Sequence, residues 1–160
     1  MSKMHIKLTV NGKQEELLAE PRELLIHVLR ERLSITGPHI GCETSHCGAC
    51  TVDMNGKSVK SCTVLAAQAN GAEITTIEGL GTPEAPHPVQ QAFVDHAGGQ
   101  CGYCLNGMII AVAGLLNRSA VPSEADIREA LRHHLCRCGA HVEILAAARA
   151  AAGLTRGEPA

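Results

Sequence analysis

Residues 5–10 alternate, with Ile6, Leu8 and Val10 on one side and Lys7 and Thr9 on the other, the period-two pattern of a strand with one buried face. Asn11-Gly12 follows, a pair that accepts the positive φ angles of a two-residue hairpin turn, and residues 13–18 return as a second strand. Pro21 ends that strand. The period then changes: Leu24, Leu25, Val28, Leu29 and Leu33 share one stripe of a helix predicted over residues 23–33, and Gly37-Pro38 stops it. A second hairpin, residues 51–54 and 57–61, turns at Asn55-Gly56, and residues 73–77 make a last short strand.

Beyond a Gly- and Pro-rich stretch, residues 79–88, the pattern is helical throughout. Residues 89–97 turn Val89, Ala92 and Phe93 inward, and residues 105–117 carry Leu105, Met108, Ile109, Val112 and Leu116 on one stripe. Ser123 followed by Asp126 reads as a capping box opening a helix with Ile127, Ala130 and Leu131 inside. An Ala-rich fourth helix, residues 142–151, stops at Gly153. The expected fold class is α+β. An N-terminal β-grasp domain over 1–78 is joined by a linker, 79–88, to a C-terminal four-helix bundle domain over 89–153, and 154–160 form a flexible tail. Each unit is small; a domain under 80 residues buries only about 60% of its unfolded surface.

Composition narrows the function classes. The net charge is −2 with no basic block, and the aromatic side chains are only Phe93 and Tyr103, so neither the charge nor the stacking platforms of a nucleic-acid binder are present. The opening residues lack the apolar run of a signal peptide, and no 18-residue apolar span follows. The expectation is a soluble chain, cytoplasmic or exported in a folded complex on a partner's signal.

The chemistry lies in eight cysteines that fall in two groups of four. Cys42, Cys47 and Cys50 stand as C-x4-C-x2-C, and the second hairpin brings Cys62 back to them. That is the plant-type ferredoxin spacing, in which four thiolates hold a 2Fe–2S cluster. Gly41 and Gly48 supply the close approach and backbone freedom that such a curled loop needs. A Rieske centre would need two His ligands, which the loop does not offer at the right spacing. Zinc sites pair C-x2-C with C-x2-C, so three crowded cysteines argue against zinc here. The second group, Cys101, Cys104, Cys136 and Cys138, reads C-x2-C and C-x-C at the starts of two helices, where unpaired N–H groups can face a metal centre. Taken alone, it suits zinc as well as iron–sulfur. Disulfides are the weaker reading in a chain without an export signal.

Together the two groups run C-x4-C-x2-C-x11-C, then C-x2-C-x31-C-x-C, over nearly the whole chain. With the segments G-C-E-T-S-H-C-G-A-C-T-V-D, G-Q-C-G-Y-C and L-C-R-C-G, this order resembles the small iron–sulfur subunit of the molybdenum hydroxylases. The resemblance implies one 2Fe–2S cluster in each domain and a molybdopterin cofactor in a large partner subunit. It implies an electron path from that cofactor through the cluster of Cys101, Cys104, Cys136 and Cys138 to the cluster of Cys42, Cys47, Cys50 and Cys62. It also places Gln100 and Cys138 close to the pterin. The first half is similar to carbon monoxide dehydrogenase small subunits, and the second to those of nicotinate and isoquinoline hydroxylases. Leu105-Asn106 and Gly139-Ala140-His141 depart from the Thr-Pro and Thr-Gly-Tyr common in the family, and both flank the second group. The expected substrate is an N-heteroaromatic compound or an aldehyde, and the acceptor an FAD subunit or a c-type cytochrome. The alternatives are a carbon monoxide dehydrogenase-like small subunit with a flavin partner, a freestanding two-cluster ferredoxin, and a two-zinc adaptor.

Several polar residues are expected to carry no chemistry. His39, His46, His133, His134 and His141 read as solvent-facing loop histidines, because four cysteines already complete each site. Glu43 and Asp53 have no partner acid at a catalytic spacing. Met108, Ile109 and Ile110 read as helix core, and Arg137 is left between a structural and a partner-facing role. The expected activity is that of an electron-transfer subunit without a catalytic residue of its own.

Overall fold

A computed structural model describes residues 3–154, so the flexible tail expected over 154–160 lies, apart from Leu154, outside the described residues. Strands β1 (Met4–Val10) and β2 (Lys13–Ala19) pair antiparallel, with Val10 opposite Lys13. β3 (Thr51–Met54) and β4 (Lys57–Lys60) form the second hairpin, with Met54 opposite Lys57. Both hairpins turn at Asn-Gly pairs in which each residue has positive φ, 51° and 79° at Asn11-Gly12 and 54° and 78° at Asn55-Gly56. These are the mirror-image turns whose twist suits a hairpin.

β5 (Glu73–Thr75) lies between the hairpins, parallel to β1 and antiparallel to β3, giving the order β2-β1-β5-β3-β4. The side chains of both turns fasten it. Asn11 exchanges hydrogen bonds with Thr76, and Asn55 Oδ1 accepts from the Glu73 N–H at 2.8 Å. Residue 76 continues into a short helix, α2 (Ile77–Leu80), so the strand predicted to residue 77 ends earlier, and the stretch predicted as linker begins inside a helix.

The predicted helix over 23–33 is a mixed element. α1 (Leu25–His27) passes directly into a π-helical turn, Val28–Arg32, closed by the Leu33 N–H on the Val28 carbonyl at 3.1 Å. The helix presents apolar groups in two directions. Leu25, Val28 and Leu29 enter the main core with Ile6, Leu8, Val10, Val52 and Ile74, while Ile26 packs with Cys50 and Cys62 in a separate cluster.

The remaining helices are α3 (Pro88–Asp95), α4 (Leu105–Arg118), α5 (Glu124–Leu131) and α6 (His141–Ala151). Pro88 takes the first helical position of α3, where its missing N–H costs nothing. Ser123 and Asp126 form the predicted capping box of α5, with Asp126 Oδ2 accepting from the Ser123 N–H at 2.8 Å. Val89, Phe93, Met108, Ile109, Val112, Ile127, Ile144 and Ala147 make the second core.

α4 is buried on every side from Asn106 to Leu115, as a helix enclosed by two layers must be. Met108, Ile109 and Val112 face the helical core, while Gly107 and Gly114 press on the strand unit. A Cβ on Gly107 would fall on the Gly48 carbonyl oxygen, far inside contact distance, and one on Gly114 would lie 2.6 Å from Ser58 Oγ. At Gly107 the two halves thus meet backbone to backbone. No helix among the described residues is long and apolar enough to cross a membrane.

Candidate metal centres

The first site is a loop wound around its own sulfurs. Glu43, Ser45 and Gly48 all have positive φ, at 53°, 65° and 77°, which reverses the chain repeatedly between Cys42 and Cys50. Gly41 gives the close approach, since a Cβ there would sit 2.8 Å from Cys47 Sγ. Backbone N–H groups point inward: those of Thr44 and Cys47 reach Cys42 Sγ at 3.4 and 3.3 Å. Burial opposes ionisation of Cys42, yet these hydrogen bonds with Thr44 and Cys47 bring its thiol down to about 6. Cys50 lies deeper, 2% exposed, and burial with the neighbouring Cys62 thiol pushes it up to about 12. The 3₁₀ turn Ser61–Thr63 carries Cys62, and both the N–H and the hydroxyl of Ser61 donate to the Cys50 carbonyl, which holds the two buried cysteines side by side.

The second site is built from two helix starts. Cys104 is the N-cap of α4, and Cys138 stands two residues before Ala140, the N-cap of α6. Gly102 and Gly139, both with φ near +80°, turn the chain between the ligand pairs and the helices. The thiols of Cys101 and Cys138 face each other, as do those of Cys104 and Cys136. Burial and the Cys136 thiol push Cys104 up to about 12. At Cys136 burial works in the raising direction, but the N–H groups of Ala140, Cys138 and Gly139, together with the Cys104 thiol, hold its pKa below the usual thiol value. Cys101 and Cys138 are exposed, and so is Gln100 beside them.

Both donor sets suit an iron–sulfur cluster. In each set the thiols lie near enough to act on one another's charge, each set aims backbone N–H groups at sulfur, and the cradle at Gly41 admits no side chain. All eight cysteines are free thiols in this fold.

The sites are joined by the seam between the halves. The Leu135 N–H donates to the Cys47 carbonyl at 2.9 Å, so the residue next to Cys136 in the chain is bonded directly to a cysteine of the first site. Asn106 Nδ2 donates to the Ala49 carbonyl at 2.8 Å and to the Gly37 carbonyl. The Tyr103 hydroxyl donates to the Ile40 carbonyl at 2.7 Å, and its ring stacks on His39 at 4.4 Å.

The histidines divide. His46 and His133 are exposed loop residues, and His141 is exposed at the first position of α6 rather than in a loop. His134 is not solvent-facing: it is 5% exposed, lies against Gly48, and contacts Thr51 Oγ1 and Lys60 Nζ. Burial and the nearby Lys60 charge push its pKa down to about 3, so the ring is neutral. His39 is also engaged, through Nδ1 and the Tyr103 carbonyl at 2.8 Å. Among the residues left without a role, Asp53 caps the Asn55-Gly56 turn and Glu43 lies 3.8 Å from His27. Asn106, Lys60 and His134 carry no motif. The sequence signal for Asn106 is a polar residue within an apolar run; His134 has none.

Comparison with known proteins agrees with this geometry. Residues 8–76 match the family described as 2Fe-2S iron-sulfur cluster binding domain, and residues 76–149 the family described as [2Fe-2S] binding domain. The chain is 51% identical over 151 residues to one of the subunits of nicotinate dehydrogenase from Pseudomonas putida, covering 94% of this chain and 96% of that one. It is 44% identical to the aldehyde oxidoreductase iron-sulfur-binding subunit PaoA of Escherichia coli, covering 94% and 72%. It superposes on a chain of quinoline 2-oxidoreductase from Pseudomonas putida 86 with a TM-score of 0.85 at 38% identity, covering 94% and 97%. Two 2Fe–2S-binding units in this order, on a fold shared with such relatives, make the chain a member of the family of iron–sulfur electron-transfer subunits of the molybdenum hydroxylases.

Proposed function

We propose that this chain carries electrons singly between a molybdopterin site in a large partner subunit and an external acceptor. In this reading Cys101, Cys104, Cys136 and Cys138 hold the cluster nearer the molybdenum, and Cys42, Cys47, Cys50 and Cys62 hold the exit cluster. A bound 2Fe–2S cluster supplies a one-electron couple. The protein's part is to hold the two sites at fixed separation and to surround their sulfurs with N–H donors. The observation that carries the reading is the Leu135–Cys47 hydrogen bond, a short backbone bridge between the two cysteine sets. Exposure supports the direction. Gln100, Cys101 and Cys138 lie open at the surface among the exposed Tyr103, Leu135 and Val142, an apolar rim suited to a covering subunit. Gln100 and Cys138 are then the residues that meet the pterin. The proposed units are residues 1–78 and 89–153, joined by 79–88, and the family matches over 8–76 and 76–149 support two units in this order.

For the complex, the names of the relatives favour oxidation of an N-heteroaromatic compound, with an aldehyde second. The acceptor is a cytochrome or an FAD subunit that docks at the exposed loop between Cys42 and Cys47.

Metal analysis tests the first step: about four iron and four sulfide per chain are expected for two such clusters. Two zinc ions and no visible absorption would reject it. Affinity purification from the native host is expected to bring down a molybdenum-containing subunit. A chain that always purifies alone would favour the freestanding ferredoxin.

A further inference from the structure

Lys60, Thr51 and His134 meet in the seam between the two cysteine sites, and none of them belongs to either ligand set. Lys60 Nζ lies 2.9 Å from Thr51 Oγ1 and 3.1 Å from His134 Nε2, and those two atoms are 3.0 Å apart. Each residue is bound by sequence to a different ligand. Thr51 follows Cys50, Lys60 stands two before Cys62, and His134 stands two before Cys136. Thr51 and Lys60 are also cross-strand partners of β3 and β4.

Counting hydrogens identifies the donor. An ammonium has donors only, and Thr51 spends its own hydroxyl hydrogen on the Gly48 carbonyl at 2.7 Å. Lys60 therefore donates to Thr51 Oγ1, with His134 Nε2 lying 3.1 Å from the same ammonium. Its two polar contacts are both neutral, and neither is a carboxylate. A partly buried cation of this kind is costly unless negative charge lies close. Burial pushes the Lys60 pKa down, and the thiols of Cys50, Cys47, Cys62 and Cys42 work against that push; the first site lies alongside, through Cys50 next to Thr51 and Cys62 two residues after Lys60.

We propose that Lys60 is the fixed counter-charge of the cluster held by Cys42, Cys47, Cys50 and Cys62, clamped by Thr51 and His134, and that it raises the potential at which that cluster accepts an electron. The proposal rests on the 2Fe–2S reading of the first site. A cluster with four thiolate ligands is anionic when oxidised and gains a further negative charge on reduction, so a cation beside it favours the reduced form. Lys60 acts through its charge alone; it gives up no proton and forms no bond as the electron arrives. His134 comes from the loop that also carries Cys136, so the position of this charge depends on closure of the seam. Lys60 is a positioning residue for the relay.

The test is a redox titration of the whole 160-residue chain loaded with both clusters, following the two electron paramagnetic resonance signals, with Cys42→Ser marking the first-site signal. Iron and sulfide content is measured first, since a chain that binds no iron refutes the cluster reading itself, independently of Lys60. In the loaded chain Lys60→Gln is expected to lower the equilibrium constant for reducing the first site at least tenfold, about 59 mV for a one-electron couple, with a smaller change at the second site. Lys60→Arg, which keeps the charge, is expected to stay within about threefold of the native constant. An unshifted Lys60→Gln, or an arginine variant shifted as far as the glutamine one, overturns the proposal. Thr51→Ala keeps the lysine but frees it toward water, and is expected to shift the first site in the same direction by less. Should Lys60→Gln fail to take up iron, an unshifted Thr51→Ala is decisive against the proposal.

Discussion

The two cysteine sites reach similar donor sets by opposite means. The first is wound from one loop with three left-handed residues and completed by Cys62 from a later turn, and two of its cysteines, Cys50 and Cys62, are buried against Ile26. The second is assembled at the starts of two helices, and it leaves Cys101 and Cys138 at the surface. Each unit has a hydrophobic core of its own; beside the first, Cys50 and Cys62 are buried, whereas in the second only the partly buried Cys104 and Cys136 touch the core.

The contrast is sharpest when one ligand is removed from each. Cys50→Ser is expected to lose the first cluster and, with it, the loop that the cluster staples, lowering the melting temperature by roughly 10 °C. Cys101→Ser is expected to lose as much iron with a drop of only a few degrees. Equal drops would show that the bundle, too, is held by its metal. Next in size is the seam. Gly107→Ala puts a methyl group against the Gly48 backbone and is expected to cost about 1–3 kcal/mol, with a changed visible circular dichroism of the first cluster. Gly114→Ala meets only the Ser58 hydroxyl, which can turn aside, and is expected to cost less. A reversed order would sink the idea that the seam is tightest beside the first loop.

Asn106→Ala removes the donor to the Ala49 and Gly37 carbonyls and is expected to cost about 1–2 kcal/mol in denaturant melts, again with the first site perturbed more than the second. The smallest effect lies in the helical half. Arg149 grips Glu124 with two hydrogen bonds, one of them 2.6 Å from Nε, and holds the carboxyl below its ordinary range. A depressed carboxylate contributes stability that is complete above its unfolded value, about 4.3, and is lost as the pH falls through and below that value. Glu124→Gln is thus expected to melt slightly earlier than the native chain at neutral pH, the difference shrinking as the pH falls below the unfolded carboxylate value; the pair is a third exposed, so the difference stays small. A difference independent of pH would remove the ion pair from the account.

Local chemistry is legible in the sequence, and distant burial is not. Both Asn-Gly hairpins, the Ser123 cap and the inward stripe of α4 lie where period and turn residues place them, because each is decided by neighbours in the chain. The opposite face of α4, with Asn106, Gly107 and Gly114, is buried by a hairpin and loop far upstream, and no window around residue 110 contains that information. The burial of His134 escapes the sequence for the same reason, since Gly48 and Thr51 are what cover it. The π turn after His27 hides behind an ordinary helical stripe, which carries Leu25 and Val28 correctly but gives no hint that Ile26 packs against the ligands. The spacing of the cysteines is readable because metal ligation constrains the chain at short range; the polar clamp beside them is not, because it draws on three separate segments.

The position of β5 has a kinetic consequence. The strand is made last in its unit and yet occupies the middle of the sheet, so the two hairpins can form early but cannot be joined until residues 73–75 enter the gap between them. That closure brings together Thr9 with Glu73 and Met54 with Ile74, contacts of long and short sequence separation at once, and the former must meet the loop-closure entropy before any pairing rewards it. Asn11 and Asn55 then latch the strand at both ends. On a ribosome, a nascent chain that has emerged only as far as Cys62 has all four thiols of the first site but no continuous sheet beneath them, so stable loading of that site waits for the fifth strand.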